Sequence, residues 1–194
     1  MKRRLFIALP VPDEARKILA WLQNKLKQEV KTDLVKWVEK ENFHQTLVFL
    51  GRVDDKIRVE IEEIMRCLAR NKPLSLSFSK ILFFPDLRRA RVIAVNVGED
   101  EEKISNCFHQ LRLPLEMSGF EFNTRFSPHI CLGRVRRIQG KALFTKKKID
   151  QIQDELRKKE LVFPLEKVVL YESNLNQDGP VYTPLCEVEL KGKK

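Results

Sequence analysis

Two histidines that each begin an apolar run are the strongest chemical signal in this sequence. The first segment reads HQTL from His44, and the second reads HICL from His129. Alternate side chains of an extended strand share a face, so Thr46 lies beside His44 and Cys131 lies beside His129. The chain contains three histidines, and these segments use two of them. A pair of imidazoles, each next to a small polar side chain, is suited to acid–base catalysis.

Two histidines can supply both proton transfers that cleavage of a phosphodiester needs. Imidazole titrates near pH 6.5, so one ring can accept a proton from water while the other donates one to a leaving oxygen. Each transfer contributes about 10²–10⁴-fold in rate. Thr46 can donate a hydrogen bond to a phosphate oxygen, the thiol of Cys131 is a weaker donor, and Arg134 can bind phosphate through its guanidinium. The residues leave open which histidine is the acid and which is the base.

Each segment alone is better explained as an ordinary strand, because a His-x-Thr pattern is common by chance, and it is the second copy that favours a function. His109 lies beside Phe108 in a helical pattern, and we interpret it as structural. We interpret Cys131 as a small strand residue rather than a nucleophile, because no activating group lies near it in the sequence.

Composition and charge favour a folded protein with a polyanionic partner. The chain has 194 residues, of which 43% are hydrophobic, and this is enough for a core. Its formal net charge is +10. Short basic runs at 88–91, 134–137, 146–148 and 191–194 are typical either of a solvated surface or of a path along which RNA approaches.

The remaining composition argues against a membrane protein and against a metal or disulfide framework. The four cysteines are widely spaced, without a C-x-x-C pair. The apolar run at 5–9 stops at Pro10, so it is typical of a first strand rather than of a signal peptide. No segment approaches the ~20 apolar residues of a membrane span. We therefore expect a cytoplasmic protein without a metal.

Apolar periodicity predicts an α+β fold with largely antiparallel sheets. We expect strands at 4–9 and 74–84 and a helix at 99–113, which Pro114 ends or kinks. Strands and helices do not alternate strictly, as they would in a parallel α/β fold. The two histidine segments lie nearly half the chain apart, which an internal duplication into two lobes would explain.

At these residues the sequence resembles the two-histidine (2H) phosphoesterase superfamily, and within it the RNA 2′,3′-cyclic phosphodiesterases, also called 2′-5′ RNA ligases. That family carries two His-x-Thr-x (HxTx) motifs, which the segments from His44 and His129 match. Further matches cover the opening strand at 4–8, the approach to each motif at 41–43 and 126–128, and the closing strands at 171–173 and 179–185.

The resemblance implies a single domain over 1–194, made of two pseudo-symmetric lobes. Each lobe is an antiparallel sheet with helices, and each contributes one motif to a central cleft. It also implies a hydrolase that converts the terminal 2′,3′-cyclic phosphate of RNA, tRNA fragments included, to a 2′-phosphomonoester. Because a chain of two lobes needs no partner to build the cleft, we expect a monomer. No metal, cofactor or membrane is implied. In the related ligation, a 5′ hydroxyl replaces water and a 2′-5′ linkage is formed.

By resemblance, the residue roles follow the two motifs. His129 is the base and His44 the acid, Thr46 and the Cys131 position contact the phosphate, and Arg134 neutralises it. The family ordinarily has threonine or serine where this chain has Cys131, so one phosphate contact is weaker here. Two other functions stay open: a non-catalytic module that binds RNA ends, and a 2H phosphodiesterase acting on 2′-5′ oligonucleotides.

Overall fold

The computed structural model describes residues 2–30, 32–122, 126–136, 143–176 and 179–192. Of the basic runs, Arg137, Lys193 and Lys194 therefore lie outside the described residues.

The described ranges contain ten strands and four α-helices. The strands are β1 (Lys2–Pro10), β2 (Val35–Trp37), β3 (His44–Asp54), β4 (Leu74–Leu76), β5 (Ile81–Phe84), β6 (Val92–Asn96), β7 (His129–Val135), β8 (Phe163–Leu165), β9 (Lys167–Asn176) and β10 (Gly179–Glu189). The helices are α1 (Asp13–Gln28), α2 (Asp55–Met65), α3 (Glu101–Met117) and α4 (Lys146–Arg157).

The fold is α+β with antiparallel pairing throughout the described strands, which confirms the predicted class. Eight strands form one sheet in the order β10-β9-β1-β3-β7-β6-β5, with β2 also paired to β7. β4 and β8 form a separate two-stranded sheet. The large sheet has two halves, each built around one histidine strand. β3 and β7 join the halves through the residue pair Gln45 and Ile130.

The helices connect the two halves into one core. α1 follows β1 of the first half but packs on the second, where it also contacts α4. Its apolar side chains recur at helical spacing, and Leu19, Leu22 and Leu26 are fully buried. α2 and α3 contact each other and β3 of the first half. One cluster of buried apolar side chains includes residues from both halves.

The strand predicted over 74–84 is wrong, because the structure divides it into β4 and β5 in different sheets. The intervening backbone makes one backbone hydrogen bond to β6, from the N–H of Asn96 to the carbonyl of Lys80 (3.0 Å), and is otherwise held by side chains. The Asn96 side chain accepts hydrogen bonds from the backbone N–H of Ser79 (2.9 Å) and of Lys80 (2.8 Å). A polar side chain that competes for the backbone in this way is not visible in an apolar pattern.

Pro114 does not end its helix, because α3 continues to Met117. A proline inside a helix removes one N–H donor and its ring crowds the carbonyl four residues earlier, here that of Gln110, so it disfavours the helix without always ending it. Leu111 and Leu115 on either side of it are fully buried, and this packing holds the last turn in helical form.

A search of the helices in the described ranges finds none that is long and apolar enough to cross a membrane.

Candidate active site

Three polar residues of β7 lie on one side of the sheet. In the pairing with β6, His129, Cys131 and Arg134 lie opposite Asn96, Ala94 and Val92, respectively. These partners are alternate residues of β6 and share a face, so the β7 residues opposite them share it too. A β-bulge absorbs the odd spacing before Arg134, because Leu132 has no partner on β6. The bulge therefore turns Arg134 to the side of the histidine.

β3 repeats this arrangement. His44, Thr46 and Phe49 lie opposite Pro10, Ala8 and Phe6 of β1, and Leu47, between Thr46 and Phe49, is left unpaired by a bulge. Phe49 thus occupies the position that corresponds to Arg134, and its side chain is 63% exposed. The sequence analysis did not identify Phe49. The sequence does contain an indication that Phe49 is equivalent to Arg134, because Phe49 follows His44 at the same spacing as Arg134 follows His129.

Both sets of residues face the same side of the large sheet. Gln45 and Ile130 are directly opposite each other, so their side chains point to a common face, which is buried. Residues next to them on either strand point to the other face. His44 and His129 each precede a member of this pair, and they therefore share that other face.

Buried contacts hold the β7 bulge in place. The Leu132 carbonyl accepts hydrogen bonds from the backbone N–H of Val38 (3.0 Å) and from the buried Gln23 side chain of α1 (3.0 Å). The next residue, Gly133, lies against β2. A Cβ there would lie 2.8 Å from Cγ1 of Val35, so a larger residue would displace β2. The position of Arg134 thus depends on packing from two other elements.

Each histidine is oriented by a hydrogen bond of the same kind, to the backbone carbonyl two residues earlier. Nδ1 of His44 lies 2.7 Å from the Asn42 carbonyl oxygen, and Nδ1 of His129 lies 2.7 Å from that of Ser127. A carbonyl oxygen can only accept, so each Nδ1 carries a proton and donates it. Nε2 is then the nitrogen that is left to exchange protons with a substrate.

Aromatic rings surround the two imidazoles. The Phe6 ring lies 5.0 Å from that of His44, and the Tyr182 ring of β10 stands at 90° to the same imidazole with centroids 5.3 Å apart. Phe84 packs against His129 with centroids 4.9 Å apart. The sequence analysis assigned no role to Tyr182 or Phe84. Tyr182 reaches the site from the far end of the sheet order, which strand patterns do not reveal.

Burial, together with the smaller effect of the positive charges of His129 and Arg134, lowers the pKa of His44 to about 4. The hydrogen bond to the Asn42 carbonyl opposes this shift without reversing it. His44 is therefore a neutral imidazole at pH 7. The effect of both charges on His44 also means that the structure brings these three predicted residues close together.

The Cys131 side chain is a poor nucleophile and a poor donor to a ligand. Burial raises the pKa of its thiol, and the charge of Arg134 opposes this only in part. Its Sγ contacts the Gly133 carbonyl oxygen at 3.7 Å, so the thiol proton points to its own strand. The hydroxyl of Thr46 has no hydrogen-bond partner in the part of the chain that the structure describes. Thr46 is therefore free to donate to a ligand.

Other residues that sequence reasoning examined lie elsewhere. His109 packs against Phe108 within α3, with ring centroids 5.2 Å apart. Among the described residues, no group of three or more His, Cys, Asp or Glu side chains is placed to hold a metal ion.

Comparison with known proteins identifies the family from the sequence and finds the same fold in solved structures. The family model described as LigT like Phosphoesterase matches the chain twice, over residues 9–94 and 97–182. Each match contains one histidine strand. This double match agrees with the internal duplication that the spacing of the two motifs indicated.

Similar proteins match over nearly their whole length. A Methanocaldococcus jannaschii protein named RNA 2′,3′-cyclic phosphodiesterase is 30% identical over 188 residues, which are 95% of this chain and 99% of that protein. A Thermotoga maritima protein of the same name is 29% identical, over 97% of this chain and 96% of that one.

Two solved structures show how closely the fold is shared. A crystal structure of a Thermus thermophilus protein has a TM-score of 0.79 at 26% identity, covering 98% of this chain and 100% of that one. E. coli LigT complexed with 3′-AMP has a TM-score of 0.74 at 20% identity, covering 98% and 99% of the two chains.

The lowered pKa of His44 predicts that its ring stays neutral down to about pH 4. NMR titration of ring-labelled protein without ligand measures this directly. Arg134→Gln removes one of the positive charges, so the pKa of His44 should rise in that variant. The same change at Arg66, which is paired with Glu63, should leave it unchanged. A pKa near 6.5 for His44 in the wild type would contradict this description of the site.

Proposed function

The chain belongs to the LigT-like phosphoesterase family, and on this premise we propose that it hydrolyses the terminal 2′,3′-cyclic phosphate of RNA to a 2′-phosphomonoester. The observation that carries the proposal is the pair of histidines, one from each half of the sheet, that face the same side with Nε2 of each ring free. Relatives of nearly the same length, named RNA 2′,3′-cyclic phosphodiesterase, support the choice of substrate.

In the proposed reaction, one water molecule is added across one P–O bond. A histidine Nε2 takes a proton from water as its oxygen bonds to phosphorus. The bond between phosphorus and O3′ breaks, and the other histidine Nε2 donates its proton to O3′. The 2′ ester remains. Both transfers are made by side chains of this chain, so the proposal needs no metal and no cofactor.

We assign His44 as the base and His129 as the acid, which reverses the order that the resemblance implies. His44 is already neutral at pH 7 because its pKa is about 4, and a base must be neutral to accept a proton. To act as the acid at pH 7, His44 would need a pKa about three units higher, which corresponds to about 4 kcal/mol of added interaction with the substrate. The base role requires no such change.

Side chains beside the histidines have the chemistry to hold the substrate. Arg134 is an exposed cation on the catalytic face, and it is suited to the phosphate oxygens. Thr46 supplies a free hydroxyl, and Cys131 supplies only a weak donor. The exposed ring of Phe49 offers a flat apolar surface on which a nucleobase can stack.

The same site also accounts for ligation. If the 5′ hydroxyl of a second RNA takes the place of water, its oxygen bonds to phosphorus as the bond to O3′ breaks. The product is a 2′-5′ linkage, and the two proton transfers are unchanged. A single chain contributes both histidines, so we propose that a monomer carries out either reaction.

Hydrolysis of adenosine 2′,3′-cyclic phosphate and of a cyclic-phosphate-ended oligonucleotide in excess EDTA tests the proposed function. Wild type should convert both to the 2′-phosphate. His44→Ala and His129→Ala should each lose about 10²–10⁴-fold in kcat, because each removes one proton transfer. His109→Ala is the matched control and should retain wild-type kcat. RNA binding by a clean wild-type preparation without any turnover would instead favour a non-catalytic module for RNA ends.

A substrate that needs no acid tests the two histidine roles. In 3′-deoxyadenosine 2′-(p-nitrophenyl phosphate), the leaving group departs as a stable phenolate, and its absorbance reports the rate. His129→Ala should then stay within about tenfold of wild type, since only the acid is missing, whereas His44→Ala should remain about 10²–10⁴-fold slower. If this substrate instead rescued the activity of His44→Ala, His44 would be the acid and His129 the base, as the resemblance implies.

Replacement of Cys131 by threonine tests the weakened phosphate contact. Cys131→Thr supplies a hydroxyl donor, so kcat should be maintained or should rise, by up to about 10²-fold if that donor acts in the transition state. Cys131→Val has the shape of threonine without the hydroxyl and should show no rise. A large fall in kcat for Cys131→Thr alone would mean that the thiol has a role of its own.

A further inference from the structure

A basic cavity lies beside the second half of the sheet and is separate from the residues that the mechanism uses. Its volume is about 660 Å³. It is lined by Asp86, Leu87, Arg88, Arg89 and Lys146. Both contributing segments are basic runs of the sequence, at 88–91 and 146–148, for which a solvated surface and a path for RNA were both left open.

Ring contacts place this cavity near the histidine of β7. Phe84 packs against His129, and the residues that follow Phe84, from Asp86 onward, line the cavity. Arg88 follows four residues later, so its Cα is at most about 14 Å from that of Phe84. The Phe83 ring packs 5.5 Å from that of Phe144, just before α4 begins at Lys146. The two basic segments thus meet at the edge of the catalytic face.

Three cationic side chains line the cavity. Arg89 is paired with Asp86, whereas Arg88 and Lys146 are available to bind a ligand. Asp86 accepts two hydrogen bonds from the Arg89 guanidinium, at 2.6 and 2.8 Å, and one from the backbone N–H of Arg88 at 2.9 Å. Among the described residues, neither the Arg88 nor the Lys146 side chain has an ion pair. Lys148 in the same run is paired with Glu29 at 3.2 Å. Exposed cations without a counterion are suited to an anionic ligand.

We propose that this cavity binds backbone phosphates of the nucleotides that precede the cyclic phosphate, so that the chain prefers oligonucleotides to mononucleotides. The inference rests on the proposed function, because it places the reacting phosphate between His44 and His129. A ribonucleotide strand held there carries its next phosphates within a few nucleotides. Arg88 and Lys146 lie within that reach, and their charges recognise phosphate regardless of base.

The test compares adenosine 2′,3′-cyclic phosphate with a trinucleotide that ends in the same cyclic nucleotide. The double variant Arg88→Gln/Lys146→Gln removes both free cations without touching the histidines. At 50 mM salt its KM for the trinucleotide should rise about tenfold, while its KM for the mononucleotide should change less than about twofold. The slope of log KM against log salt for the trinucleotide should fall by about 1.4, as expected for two lost contacts with a single strand.

A control with the same loss of charge separates this site from a general effect of net charge. Lys56→Gln/Arg70→Gln removes two cations from α2 and the turn that follows it, and it should leave both KM values at the wild-type level. Equal changes in the two double variants would overturn the inference, as would an unchanged length preference in Arg88→Gln/Lys146→Gln. Thermal unfolding of each variant checks that the fold is retained.

A binding measurement keeps the inference testable even if the proposed function fails. Fluorescence anisotropy of a 5′-labelled trinucleotide with a 2′-phosphate end gives a Kd without turnover. The Arg88→Gln/Lys146→Gln variant should weaken this binding about tenfold relative to the charge-matched control. Absence of turnover on both substrates would disprove the proposed hydrolysis alone. Unchanged binding in the variant would disprove the phosphate site alone.

Discussion

The pairing of β3 with β7 is the constraint on which the rest of the structure depends. It joins the halves of the sheet at Gln45 and Ile130, whose side chains are both buried. Because neighbouring residues of a strand point to opposite faces, this one pair sends His44 and His129 to the other side together. A shift of one residue in that register would bury one histidine and expose an apolar side chain in its place. The register therefore determines both which side chains are buried in the core and which ones face the candidate site.

A β-bulge in each of β3 and β7 brings a further side chain to the face that carries the histidines. Leu47 and Leu132 each interrupt the alternation, so a third side chain in each strand joins its histidine on the catalytic face. In one strand that third residue is Phe49, and in the other it is Arg134. Equivalent places in the two halves therefore carry different chemistry, an exposed apolar ring in β3 and an exposed cation in β7.

Strand alternation was enough to group each histidine with the residue two positions on, and helical periodicity predicted the helix at 99–113, which the structure has as α3 (Glu101–Met117). Strand alternation does not predict a β-bulge, because a bulge residue is recognised only by its lack of a partner on the neighbouring strand. Arg134 was therefore chosen for its chemistry, and Phe49 was missed. The division of the 74–84 strand had a similar cause, because the Asn96 side chain bonds backbone that is close in space but distant in sequence. Tyr182 reaches His44 only through the folding of the sheet.

If one phosphate group is held between the two histidines, both rings contact the same ligand, and a titration with the product nucleotide can measure this. Adenosine 2′-monophosphate is added to protein labelled with ¹⁵N in its histidine rings, and the Nε2 resonances are followed. We expect His44 and His129 to respond together with one Kd, while His109 in α3 does not respond. A response from only one of the two, or two different Kd values, would contradict a shared site.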